Sequence, residues 1–183
     1  MAYEGARVRA GVLIQGYVGA AERFRAAADG RDPDAAFFAL FEALNWAVAV
    51  DDVLGEVWRP AGTREGYDWR VRVPNAEVMD GVRYVRNLVH HHWADAVRVD
   101  EGGATFPLRF PVRFFSWVWR PADELPPPTT RWDKLRRPAY ESLLAGRSAE
   151  TTLASLAGVF SFVGRLLGPP RATPADPPSS LPS

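Results

Sequence analysis

The chain has 183 residues, 47% of them hydrophobic, enough to bury a core as a single domain. Lysine plus arginine and aspartate plus glutamate each total 22, so no overall basic field favours nonspecific nucleic-acid binding, and any such contact must come from a local patch. With no cysteine, disulfides, thiolate metal sites and a cysteine nucleophile are excluded. Lys134 is the only lysine; the other basic residues are arginines, the better fork for phosphate. The N-terminal apolar run is broken by Gln15, Gly16 and Gly19, which reads as neither a signal peptide nor a membrane span. A soluble, cytoplasmic protein is expected.

In chain order, residues 1–10 are expected to be loose. A helix is expected over Gly11 to Asp29, with Val12, Leu13, Tyr17, Ala20, Ala21 and Phe24 on its buried side. Asp32-Pro33 is an N-cap followed by proline at the first helical position. It opens a strongly apolar core helix over Ala35 to Leu54, ended by Gly55. Glu42, Asn45 and Asp52 share one side of that helix, with Asp51 adjacent, and the two aspartates lie at the unfavourable end of the helix dipole. A cationic partner is therefore expected there. Tyr67, Trp69, Val71 and Val73 alternate with charged residues, predicting a short strand over 67–73. Pro74 ends it, and Asn75 is expected to cap a helix over Ala76 to Val99, followed by a turn at Asp100 to Gly103. Alternation resumes from Phe106, predicting an edge strand within 105–119 limited by Pro107 and Pro111. Beyond a proline-rich connector, a short helical piece over Arg131 to Gly146 is expected to break at Pro138. Ser148 caps a last amphipathic helix, Ala149 to Leu167. Residues 1–168 thus form one domain, and 169–183, rich in proline and serine, read as a disordered tail.

Every histidine in the chain lies in one cluster, His90-His91-His92, on the helix that follows Asn75. Val78, Val82, Val85 and Val89 mark its apolar side, and Arg86, Asn87, His90 and His91 lie off that stripe. Arginine is a permanent cation, and histidine exchanges a proton near neutrality. Together they suffice to cleave a phosphodiester without a metal. The imidazole moves a proton at the ribose hydroxyl or the leaving oxygen, and the guanidinium stabilises the charge on phosphorus. The nucleophile is then a 2′-hydroxyl, which makes RNA the substrate. At about 100° per residue, positions 86 and 91 diverge by roughly 140°, while 86 and 90 are nearly in line.

Arg86-Asn87-Leu88-Val89-His90-His91 resembles the Arg-Asn-three residues-His signature of the HEPN (higher eukaryotes and prokaryotes nucleotide-binding) family. The resemblance implies a mainly α, antiparallel helical bundle, here with a small β-strand addition. It also implies a homodimer whose two motifs build one composite site, and a metal-independent endoribonuclease of the toxin-antitoxin or phage-defence type. Under it Arg86 stabilises the phosphate, Asn87 is its polar companion, and His91 is the acid or base; the in-line spacing of 86 and 90 on the helix makes His90 the alternative. Asp52, Asp51 or Glu42 supplies an accompanying carboxylate. It implies no cofactor, and an antitoxin or defence-system partner. The family's alternative is a catalytically inactive dimerisation or binding module.

Arg131, Lys134, Arg136 and Arg137 form a basic cluster around Trp132, suited to holding RNA phosphates and stacking a base; with Arg83 they complete the expected substrate contacts. A metal site is not expected, since consecutive helical histidines point in different directions and neither HExxH nor cysteine is present. No glycine loop has phosphate-binding spacing, and the net charge gives no support to a DNA recognition helix.

Overall fold

The computed structural model describes residues 2–58, 69–92, 96–101 and 115–168. Within them the protein is mainly helical, with a small antiparallel sheet of two strands. Helices α1 (Ala2–Asp29) and α2 (Pro33–Val57) are joined by a turn in which Arg31 takes a positive φ of 56°. Asp32 caps α2 by accepting from the Ala35 amide at 3.0 Å, and Pro33 follows at the position where a missing N–H costs nothing. The two helices run antiparallel. Arg9 meets Glu56, Gly16 meets Trp46, and Arg23 meets Glu42, so contacts move down one helix as they move up the other.

The same test orders the rest. Helix α3 (Val78–His92) runs antiparallel to α2 through Arg83 with Asp51, Arg86 with Asn45, and His90 with Phe41. Helix α5 (Ala149–Leu167) runs antiparallel to α1 through Arg25 with Glu150, Tyr17 with Phe160, and Arg7 with Gly168. Helix α4 (Arg131–Leu143) packs on α3, whose Gly81 lies against Ala139, Tyr140 and Leu144. The core holds Tyr17, Phe24, Leu44, Leu54, Met79, Tyr84, Trp119, Tyr140 and Phe160. Val78, Val82, Val85 and Val89 are all buried, as their spacing predicts.

Several expectations need correction. Helix α1 starts at Ala2 rather than near Gly11, because Ala6 and Ala10 are buried and Arg9 reaches Glu56. Val12, expected inside, is exposed. Helix α2 runs past Gly55 to Val57, whose side chain is buried. No strand forms at Trp69–Arg72, which is a 3-10 turn. Trp69 and Val73 are buried while Val71 is exposed, a four-residue spacing that suits a helical turn and not a ladder. Asn75 does not cap a helix: it sits in left-handed backbone with φ 61°, a conformation asparagine tolerates, and α3 begins at Val78. The motif helix ends at His92, and Val97–Glu101 is strand β1.

Strand β1 pairs antiparallel with β2 (Phe115–Trp119), Val97 opposite Trp119. A partner distant in sequence thus overrides local helical pattern. Strand β2 is tied to the entrance of α5 by Trp119 N–H to the Arg147 carbonyl and by Trp119 Nε1 to Thr152 Oγ1 at 2.8 Å. Helix α4 continues through Pro138, which removes an amide only from an exposed turn, and it begins with a capping box between Thr130 and Asp133. Of the strand expected within 105–119, Phe115–Trp119 forms as β2; residues 105–114 and the tail from 169 lie outside the described residues. Among the described residues, no helix is long and apolar enough to cross a membrane.

Candidate functional site

Two polar layers lie between α2 and α3, and they differ in charge balance. The first centres on Asp51, 4% exposed near the C-terminal end of α2. Its carboxylate accepts from Trp69 Nε1 at 2.7 Å, from Arg70 Nη2 at 2.6 Å, and from Arg83 Nε. Arg83 also donates to Asp52, whose side chain is mostly exposed. Burial works against the charge on Arg83, but Asp51 and Asp52 outweigh it and raise its pKa above the ordinary guanidinium value. Two carboxylates at the negative end of α2 thus have the cationic compensation that the helix dipole calls for.

The second layer lies one turn further along α3. Arg86 Nε donates to Asn45 Oδ1 at 3.1 Å, and Arg86 Nη1 to Asn87 Oδ1 at 3.4 Å. Asn45 is oriented by its own amide nitrogen, which donates to the Phe41 carbonyl at 2.8 Å and so turns the amide oxygen toward Arg86. The exposed His90 ring lies parallel to Phe41, the planes 7° apart and the centroids 6.2 Å apart. Phe41 and Asn45 on α2 therefore hold His90 and Arg86 on α3, each pair one helical turn apart. Among the described residues no carboxylate pairs with Arg86; its partners are two neutral amides. Among the described residues, Arg83 is neutralised, whereas Arg86 is positioned with its charge unmatched.

The remaining candidates divide between these layers and a third place. Asp52 lies with Arg83 and not with Arg86. Glu42 turns toward α1, accepting from Arg23 at 2.7 Å and from Trp46 Nε1 at 3.1 Å. Those bonds hold its carboxyl below the ordinary 4.5. Trp132, on α4, is 62% exposed, and the Arg136 guanidinium carbon sits 5.5 Å from its ring centre. Arg137 is committed elsewhere, to Glu141 at 2.8 Å and to the Ala122 carbonyl at 2.7 Å. His91 lies on α3, but its side chain, like that of His92, is outside the described residues. Among the described residues, no group of three histidine, aspartate or glutamate side chains could hold a metal ion.

Sequence reasoning missed three participants. Phe41 lies among the apolar residues of the expected core helix, and Trp69 and Arg70 lie in the expected strand over 67–73. The Phe41–Asn45 spacing of four, equal to that of Arg86–His90, is the signal that would have found the first.

These elements define a mainly helical protein with a two-stranded antiparallel sheet, carrying an amide-held arginine one turn before an exposed histidine. No family model, no curated protein and no solved structure matches the chain.

Proposed function

We propose that the protein is a metal-independent endoribonuclease of the HEPN type, acting as a homodimer whose two α3 helices bring Arg86 of one protomer and the partner's His90 to one reacting phosphate. The observation that carries this reading is the amide-held Arg86. Asn45 and Asn87 fix its direction without cancelling its charge, and His90 follows at i+4 on the same side of α3. A guanidinium in that state binds a phosphate and gains strength as charge grows on phosphorus. In the reaction the 2′-oxygen of RNA forms a bond to phosphorus while the bond to the 5′-oxygen breaks. The hydroxyl proton passes to an imidazole and a proton is returned to the leaving oxygen, leaving a 2′,3′-cyclic phosphate. Asn87 and Asn45 orient Arg86 and do not touch the reacting atoms. A role in toxin-antitoxin or phage-defence systems fits this activity.

The test uses structured and single-stranded RNAs in excess chelator with the wild type, Arg86→Ala, His90→Ala and His91→Ala. Loss of Arg86 is expected to slow cleavage about 10²- to 10³-fold, the usual consequence of removing one charge-stabilising donor. Loss of the acting histidine is expected to do the same. A wild-type protein that cleaves no RNA would overturn the enzyme and favour the catalytically inactive dimerisation or binding module.

A further inference from the structure

The entrance of α4 carries a feature that cleavage at Arg86 does not use. Its first six residues hold three cations, Arg131, Lys134 and Arg136, at the helix end whose dipole is already positive. The single acid among them, Asp133, is buried and occupied by the Thr130 capping box. Trp132 and Leu135 are both about 60% exposed, so two large apolar side chains stand in water among these charges. Arg136 is half-buried over the Trp132 ring and only 3.9 Å from Asp80 at the start of α3. Burial, with Arg83 and Arg70 nearby, pulls its pKa below the ordinary guanidinium value. The capping box and the Arg136 contacts support the helix, but Arg131 and Lys134 add like charge near a positive helix end and the Trp132 indole is left largely uncovered. A polyanion carrying flat apolar faces relieves both.

We propose that Trp132, backed by Arg136 and flanked by Arg131, Lys134 and Leu135, is a base-stacking platform for single-stranded RNA, remote from the reacting phosphate. A stacked base covers the indole while the neighbouring phosphates meet the cations, the combination that single-strand binders use. The partner is identified as a nucleic acid rather than an acidic peptide by the exposed aromatic ring with a guanidinium beside it. Asp80 and His90 lie ten residues apart on α3, about 15 Å at 1.5 Å per residue. A strand rising about 3.4 Å per stacked nucleotide spans that distance in about four nucleotides. This proposal deepens the ribonuclease reading and rests on it for the direction of the strand, but the platform binds whether or not cleavage occurs.

The probe is a fluorescein-labelled 2′-O-methyl oligouridylate of about twelve nucleotides, long enough for a typical single-strand site and resistant to cleavage. Its affinity is read by anisotropy for the wild type, Trp132→Ala, Trp132→Phe and Arg136→Ala; in parallel, cleavage of a uridine dinucleotide, too short to reach α4, is measured. The alanine variant at Trp132 is expected to bind about ten-fold more weakly, with phenylalanine restoring most of the loss and dinucleotide cleavage unchanged. Equal affinity of Trp132→Ala and wild type overturns the platform even if cleavage persists. Trp132-dependent binding by a wild type that cleaves no RNA supports the platform and removes the ribonuclease reading instead. A wild type that binds no oligonucleotide overturns the platform and leaves the Trp132–Leu135 face to a protein partner.

Discussion

At the scale of single residues, the contrast between Asp51 and Asp52 decides what the paired aspartates do. Both contact Arg83, but Asp51 is buried with three donors around it, while Asp52 stands mostly in water. Removing a buried carboxylate leaves Arg70, Arg83 and the Trp69 indole with desolvated donors, a loss of about 3 to 5 kcal/mol. Removing a solvated one costs less than about 1 kcal/mol, since water screens the pair and replaces the acceptor. Chemical denaturation should therefore find Asp51→Ala far less stable than the wild type and Asp52→Ala close to it. Equal losses in the two variants would contradict the assignment of Asp51 as the anchor. Asp51 thereby belongs to the scaffold that fixes α3 against α2, one turn away from Arg86.

At the scale of elements, two glycines show how packing reverses a local preference. A Cβ on Gly81 would lie 2.6 Å from Leu144 Cδ1 and 3.3 Å from both the Ala139 carbonyl and Tyr140 Cα. Leu144 is fully buried and the other two neighbours are backbone, so the strain has little room to relax. Gly81→Ala gains about 1 kcal/mol of helix propensity but meets an overpacking cost of about 1 to 3 kcal/mol, and is expected to lower the unfolding free energy. Gly55, inside α2 with nothing within 4 Å of its virtual Cβ, should respond in the opposite sense. Its alanine variant is expected to gain about 0.5 to 1 kcal/mol. Thermal melts of the two variants should move in opposite directions, and a Gly81→Ala protein that melts as high as the wild type or higher would refute the close approach of α3 and α4.

The same elements explain which parts of the fold were legible beforehand. The apolar spacing of Val78, Val82, Val85 and Val89 identified the buried side of α3, and Asp32, Pro33 and Ser148 marked helix starts, because these signals are local. Trp69 misled because an alternating pattern was read without knowing that its indole would be drawn inward by Asp51. Val97–Glu101 misled because its ladder partner, Phe115–Trp119, lies well over ten residues away. At the site, Arg86, Asn87 and His90 were readable from their spacing and Asn45 from its place on an apolar helix. That Asp52 turns to Arg83 was not, since choosing among three arginines on two elements requires tertiary geometry.

At the scale of the whole molecule, a site made by two chains and a site made by one differ in what mixed subunits do. In an isologous dimer formed by antiparallel α3 helices, residues pair so that their numbers sum to a constant. A two-fold axis at position 88 would set Arg86 of each protomer against position 90 of the other, the arrangement proposed for this protein. Variants then separate the two cases. When Arg86→Ala and His90→Ala proteins are mixed and allowed to exchange subunits, about half of the dimers are mixed and each mixed dimer regains one of its two sites. The expected activity is about a quarter of the wild-type value, from two preparations that are each inactive. A site confined to one chain predicts no recovery, because every protomer then lacks one of its two groups. Light scattering should report a dimer for the wild type and both variants. An active monomer, or a stable dimer that never recovers activity on mixing, would place Arg86 and His90 in a single-chain site and remove the composite one.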